Sequence, residues 1–151
     1  MRTTLQLAID CADPRRLVEF WCAALGYVPE PAPDGYATWR EYWLASGAPE
    51  EEVPPGAGEE PESIVDPDGA GPRIWFQVVP EAKAGKNRLH LDLMVGGGRS
   101  APYADRRARV GAEAERLTAL GARVLRVMDH PDGGYYAVVM QDPEGNEFCT
   151  A

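Results

Sequence analysis

Along residues 88–94, Arg-Leu-His-Leu-Asp-Leu-Met, polar and apolar positions alternate without a break. Successive side chains of a β-strand point to opposite faces, so a strand over about 88–95 would bury Leu89, Leu91 and Leu93 and turn His90 and Asp92 to the other side. The same alternation runs near the N-terminus, where Leu5, Leu7 and Ile9 interleave with Gln6, Ala8 and Asp10. It returns in Ile74-Trp75-Phe76-Gln77 and in Asn146-Glu147-Phe148-Cys149. These strands together turn Gln6, Gln77, His90, Glu147 and Cys149 to a face that is not the main core, the geometry of a pocket floor.

Between the strands the period changes. After a first strand at about 3–10, Asp13-Pro14 supplies an N-cap with proline at the first helical position, and Leu17, Phe20, Trp21, Ala24 and Leu25 fall on one helical face. A helix over about 13–25 is therefore expected, stopped by Gly26 and followed by a short strand at about 27–30. Thr38-Trp39-Arg40-Glu41 has the form of a capping box, which predicts a short helix over about 39–46, with a strand as its competitor. Residues 47–62, acidic and rich in Pro and Gly, read as a solvated insertion, with a lid over the pocket as the functional alternative. Strands follow at 63–65 and 73–79, joined by the turn-forming run Asp66-Pro67-Asp68-Gly69. A second helix over about 103–120 buries Val110, Ala114, Leu117 and Leu120 and ends at Gly121. Strands at about 122–128 and 135–141 flank Pro131-Asp132-Gly133-Gly134, and a last strand follows Asp142-Pro143-Glu144-Gly145. Gly96-Gly97-Gly98 lacks the spacing and context of a phosphate loop.

Laid against each other, the two halves repeat. Leu5-Gln6-Leu7 answers Leu89-His90-Leu91, Ala24-Leu25-Gly26 answers Ala119-Leu120-Gly121, and Asp66-Pro67-Asp68-Gly69 answers Asp142-Pro143-Glu144-Gly145. One helix per half does not make a doubly wound parallel sheet. The pattern predicts an α+β fold: two βαβββ modules, about 1–80 and about 86–151, whose curved mixed sheets surround a shared cleft with helices outside, together forming one domain.

Composition narrows the partners. A net charge of −9 argues against nucleic acid and anionic membranes, both of which reward Lys and Arg. No window is apolar enough for a membrane span, and no signal peptide is expected. Cys11, Cys22 and Cys149 are odd in number and lack metal-knuckle spacing, which fits a reducing, cytoplasmic setting.

Three stretches together resemble the vicinal oxygen chelate superfamily, which includes glyoxalase, bleomycin-resistance and extradiol-dioxygenase proteins, and more narrowly its small bacterial glyoxalase-like members. They are Asp13 with Phe20-Trp21 and Leu25-Gly26, the run Lys86 to Leu93, and the run Gln141 to Cys149. The superfamily hosts several reactions and proteins that only sequester a drug, so the resemblance speaks to fold more than to chemistry. It implies metal ligands on the first and last strands of each unit, at Gln6, His90, Gln77 and Cys149, where relatives usually have a glutamate at the Cys149 position. Arg73 and Trp75 share the face of Gln77 and are alternatives to it. Glu147, two residues before Cys149, is a further source of a carboxylate.

Three functions follow as expectations. In the first, a small organic metabolite or drug is held in a polar and aromatic cleft by Gln6, Trp39, Trp75, Gln77, His90, Asp92 and Cys149, in the manner of a resistance or sequestration protein without metal. In the second, a divalent metal (Ni, Zn, Mn or Fe) on Gln6, His90, Glu147 and Cys149 polarises a carbonyl in a lyase or isomerase, with Glu147 and His90 as catalytic groups. The third is an interaction domain without a ligand. A homodimer is expected by analogy with relatives. Bland alternatives remain for each residue: Cys149 as a small apolar filler, His90 as a hydrogen-bonded interior histidine, and His130 as plain surface.

Overall fold

The computed structural model describes residues 3–98 and 100–151. The chain divides into two compact units, Met1–Pro80 and Glu81–Ala151, each with one four-stranded mixed sheet.

In unit 1, β1 (Gln6–Cys11), α1 (Pro14–Leu25), β2 (Val28–Pro29), α2 (Trp39–Ala45), β3 (Ser63–Val65) and β4 (Arg73–Val78) build a sheet of order β1-β4-β3-β2. In unit 2, β5 (Leu91–Leu93), α3 (Tyr103–Ala119), β6 (Arg123–His130), β7 (Tyr135–Gln141) and β8 (Glu147–Thr150) give the order β5-β8-β7-β6. In both, the first strand lies parallel to the fourth and the remaining pairs are antiparallel. The internal repeat expected from the sequence is therefore real in three dimensions, and the fold is α+β.

Local chemistry explains the first helix. Asp13 sits in extended backbone and its carboxylate accepts from the Arg16 N–H at 3.3 Å, Pro14 opens the helix, and Gly26 closes it at φ 73°. Leu17, Val18, Phe20 and Trp21 are buried, and α1 lies against β3 and β4. Ile64, Ile74 and Phe76 are fully or nearly fully buried in the same core. Because β4 alternates, burying Ile74 and Phe76 commits Arg73, Trp75 and Gln77 to the opposite face.

The aromatic segment 39–45 is helical. The Thr38 hydroxyl accepts from the Glu41 N–H at 3.1 Å, and the Glu41 carboxylate accepts from the Ala37 N–H at 2.8 Å, one residue earlier than in the standard capping box. From this helix Arg40 reaches into the acidic insertion. Its guanidinium donates to the carbonyls of Pro54 at 3.0 Å and Val53 at 3.4 Å and pairs with Glu59 at 3.4 Å. Val53 is buried, and the Cβ that Gly58 lacks would lie 2.6 Å from the Trp43 ring. The expectation of a simply solvated insertion is corrected accordingly: it is pinned to α2 by a cation and by a close backbone approach.

The strand expected at 88–95 also needs correction. Only Leu91, Asp92 and Leu93 pair, with Phe148, Cys149 and Thr150 of β8, and Leu89 is 86% exposed instead of buried. Leu120, expected in the core beneath α3, is likewise exposed. The Asp142 turn matches its counterpart. The buried Asp142 carboxylate accepts from the N–H groups of Glu144 and Asn146 at 3.0 and 2.9 Å, and Asp66 accepts from those of Asp68, Ala70 and Gly71. No helix among the described residues is long and apolar enough to cross a membrane.

Candidate functional site

The polar face of unit 1 opens as a cleft of about 910 Å³. Parallel pairing sets Gln6 beside Arg73, Ala8 beside Trp75 and Asp10 beside Gln77, so Gln6, Arg73, Trp75 and Gln77 line its floor. Trp43 of α2, Glu62, and Glu52 through Ala57 of the insertion form the rest of the wall.

Arg73 ties the floor together. Its Nε donates to Glu30 Oε2 at 2.6 Å, Nη1 to Gln6 Oε1 at 3.0 Å and Nη2 to Ser63 Oγ at 3.1 Å, while Ser63 Oγ donates to the same Glu30 oxygen at 2.6 Å. The guanidinium stands 5.8 Å from the centre of the Trp39 ring, and Trp39 Nε1 donates to the Glu30 carbonyl at 3.2 Å. Two consequences follow. Trp39 is spent on holding this network, whereas Trp43, one helical turn later, faces the cleft. Gln6 has its oxygen, the atom a metal would use, bonded to a cation, and its amide NH2 is left as the donor end.

In unit 2, a second group of side chains converges. His90 immediately precedes β5, Asp92 stands two residues on and hence on the same face, and Asp92 is paired across the ladder with Cys149. Cys149 Sγ lies 3.4 Å from His90 Nδ1, and Asp92 Oδ1 lies 3.6 Å from the same nitrogen. The three donor atoms all fall within 4.8 Å of one another. Cys149 is buried, His90 half-buried, and Asp92 exposed. Burial pushes the Cys149 thiol up, with the Asp92 charge adding to the effect. A nucleophilic relay needs the thiol and the carboxylate on different ring nitrogens, but here both meet Nδ1. Nε2 of His90 is buried without a hydrogen-bond partner among the described residues. A thiol, an imidazole and a carboxylate around one point instead make a donor set suited to a borderline transition metal, so the residues present fit such an ion.

Glu147 is engaged elsewhere. Its Oε2 accepts from the Asn87 N–H at 2.8 Å and pairs with Lys83 Nζ at 3.3 Å. The Asn87 N–H above all, with the Lys83 ammonium in support, holds its carboxyl below the usual carboxylate range. His130 stacks on Tyr135 at the exposed hairpin end.

Sequence reasoning placed Gln6, Trp75, Gln77, His90, Asp92 and Cys149 on polar faces, but it did not single out Glu30 or Trp43. Trp43 was available from helical spacing, since it follows Trp39 by four residues on α2. Glu30 stands in a proline-rich run that carries no periodic signal.

Comparison with known proteins agrees with this architecture. Residues 6–151 match the family described as glyoxalase-like domain. No curated protein matches the chain. Among solved structures, it is similar to a glyoxalase/bleomycin resistance protein/dioxygenase family enzyme from Burkholderia phytofirmans PsJN, with a TM-score of 0.56 at 14% identity over 96% of this chain and 94% of that one. It is similar to the fosfomycin resistance protein FosX from Listeria monocytogenes in complex with Mn(II) and a dihydroxypropylphosphonic acid, with a TM-score of 0.60 at 12% identity over 99% and 90%. TioX from Micromonospora sp. ML1 gives a TM-score of 0.51 at 14% identity over 99% and 97%. With the repeated βαβββ sheets and a match running from β1 to the last residue, the chain belongs to the glyoxalase-like family of the vicinal oxygen chelate fold.

Proposed function

We propose that the protein binds a flat organic molecule in the unit 1 cleft, as a resistance or sequestration protein does. The observation that carries this reading is the cleft's composition: two indoles, Trp43 and Trp75, stand with the amides of Gln6 and Gln77 around a volume of about 910 Å³. Indole rings supply a large apolar contact with a preferred stacking geometry, and a few amides fix orientation. The Arg73 charge is already met by Glu30, while Glu52 and Glu62 line the wall, so a neutral or cationic ligand is favoured over an anion. Similar folds in proteins named for fosfomycin and bleomycin resistance support a drug-like ligand.

The test is a panel of planar heteroaromatic compounds screened by thermal shift and tryptophan fluorescence. A ligand at 100 times its Kd stabilises the folded state by about 2.7 kcal/mol. Trp75→Ala is expected to weaken a hit by about tenfold or more, consistent with an aromatic contact plus its buried area. A panel without any shift, or a hit bound equally by Trp75→Ala, defeats the proposal.

A second reading, a metal-dependent lyase or isomerase, is favoured by the cluster of His90, Asp92 and Cys149. It stands behind the first because Glu147, the carboxylate expected to move a proton, is held ionised and paired with Lys83. A base so far below neutral gives weak general-base catalysis.

A further inference from the structure

We infer that the ligand of the unit 1 cleft is an aromatic monocation whose positive end is read by Glu62 beside Trp43 and Trp75, a commitment that rests on the reading of this cleft as a ligand site.

Charge selects the cation. Arg73 is the one cationic side chain among the described lining residues, and its Nε is already bound to Glu30 Oε2 at 2.6 Å. Glu62 lines the same space, accepts from the Gly58 N–H at 2.9 Å, and has no cationic partner among the described residues. A carboxylate withdrawn from part of its water and met by a single N–H is short of partners, and a ligand cation supplies one. Glu52 adds a second carboxylate to the wall, which works against an anion. Indole is also the aromatic ring that attracts cations most strongly, so Trp43 and Trp75 favour the same charge.

Shape says how the charge is carried. Trp43, Glu62, Arg73 and Trp75 line both the cleft and a recess of about 10 Å³, closed by Gly58 and Ser63. Space of that order holds one water-sized group. The ring system therefore stays in the cleft of about 910 Å³, and an edge group no larger than a ring-bound N-methyl or an ammonium enters beside Glu62.

The backbone holds this corner in place. The Glu62 carbonyl accepts from the Phe76 N–H at 2.8 Å, next to the ladder pair of Ser63 and Trp75. Its carboxylate is anchored on Gly58, where the Trp43 ring lies so close that a Cβ would come within 2.6 Å of it. The start of β3 and a glycine in the insertion thus bring one carboxylate and two indoles together.

N-methylacridinium, acridine and acridine-9-carboxylate share a ring system and are cation, neutral molecule and anion at pH 8. Titrated calorimetrically into the full chain, the cation should bind about tenfold more tightly than acridine, from one partly exposed ion pair and a cation–π contact, and the anion least tightly. Added salt should narrow the advantage of the cation. Glu62→Gln keeps an acceptor for the Gly58 N–H and should cost the cation about tenfold, erasing that advantage. Glu19→Gln removes the same charge from an exposed position on α1 and should leave the advantage intact. Equal affinity for cation and acridine overturns the inference, as does an advantage that survives Glu62→Gln or is lost equally in Glu19→Gln. Acridine bound without a preference for charge strikes the monocation and leaves the cleft reading standing, whereas failure of all three probes and of the wider planar panel strikes both.

Discussion

The two units share a sheet order and a parallel central pair, yet they use the polar face of that pair in opposite ways. In unit 1 the β1–β4 pair places Gln6 beside Arg73, and the guanidinium gathers Gln6, Glu30 and Ser63 around itself. In unit 2 the β5–β8 pair places Asp92 beside Cys149, with His90 completing a set of donors that face one another. The first unit sets a cationic side chain at the centre of its group; the second sets a thiol, an imidazole and a carboxylate around one point. A repeated backbone thus fixes where side chains converge, and the residues presented there decide what the convergence does: by register Arg73 answers Glu147, and Trp75 opposite Ala8 answers Cys149 opposite Asp92.

The largest effect should come from removing the internal cation. Arg73→Met leaves the Glu30 carboxylate, whose side chain is only 20% exposed, with Ser63 as its remaining partner at that oxygen. Breaking a buried pair by deleting one member costs about 3–5 kcal/mol; partial exposure here lowers the expected loss to about 2 kcal/mol, measured by urea unfolding. Arg73→Lys should recover little, because an ammonium cannot reproduce three directed bonds from a planar fork. If Arg73→Met unfolds at the wild-type midpoint, the guanidinium is not the organiser of unit 1 and the contrast with unit 2 fails.

Arg40 offers a sharper cut, since it binds the insertion without belonging to the floor. Arg40→Ala removes bonds to the Val53 and Pro54 carbonyls and the pair with Glu59. We expect faster proteolysis within 47–62 and about 1–2 kcal/mol of lost stability, from two charge-assisted bonds made near the surface. Ligand affinity at the cleft should fall with it, because the insertion supplies part of the wall. Metal binding in unit 2 should not move, which makes this variant a control on the separateness of the two sites.

How much of this was legible in the sequence depends on which residues act locally. Asp13, Gly26, Thr38 and Asp142 act on backbone within a few positions of themselves, and each does in the structure what its chemistry predicts. The repeat was legible for the same reason, being carried by turns and caps. Leu89 was not. Alternation states which way a side chain would point in a strand, but β8 offers partners only to residues 91–93, and without a neighbour Leu89 meets solvent. Glu30 and Arg73 were missed as a pair because they are far apart along the chain and join only when β2, β3 and β4 align. Asp92 was read as a ligand-binding group and Glu147 as a metal-binding one. The register of β5 on β8 puts the first opposite Cys149, and Asn87 and Lys83 engage the second.

The smallest effect concerns Glu147, the carboxylate of unit 2 that has found a cation within the chain. Its acid form is disfavoured in the folded state by the Asn87 N–H and the Lys83 ammonium, so its folded pKa lies below its unfolded value. A depressed carboxyl contributes stability that is fully present above the unfolded value, near 4.3, and is lost as pH falls through the folded value. Glu147→Gln should therefore lower the thermal midpoint modestly at neutral pH, and the gap from wild type should narrow on titration into the acid range. The amide cannot pair with Lys83 at any pH, whereas the wild-type carboxyl loses that pair only when protonated. A gap that stays constant from pH 7 to the acid limb would show that Glu147 acts through shape alone. The Glu147–Lys83 contact would then carry no charge effect to set against the Arg73–Glu30 pair of unit 1.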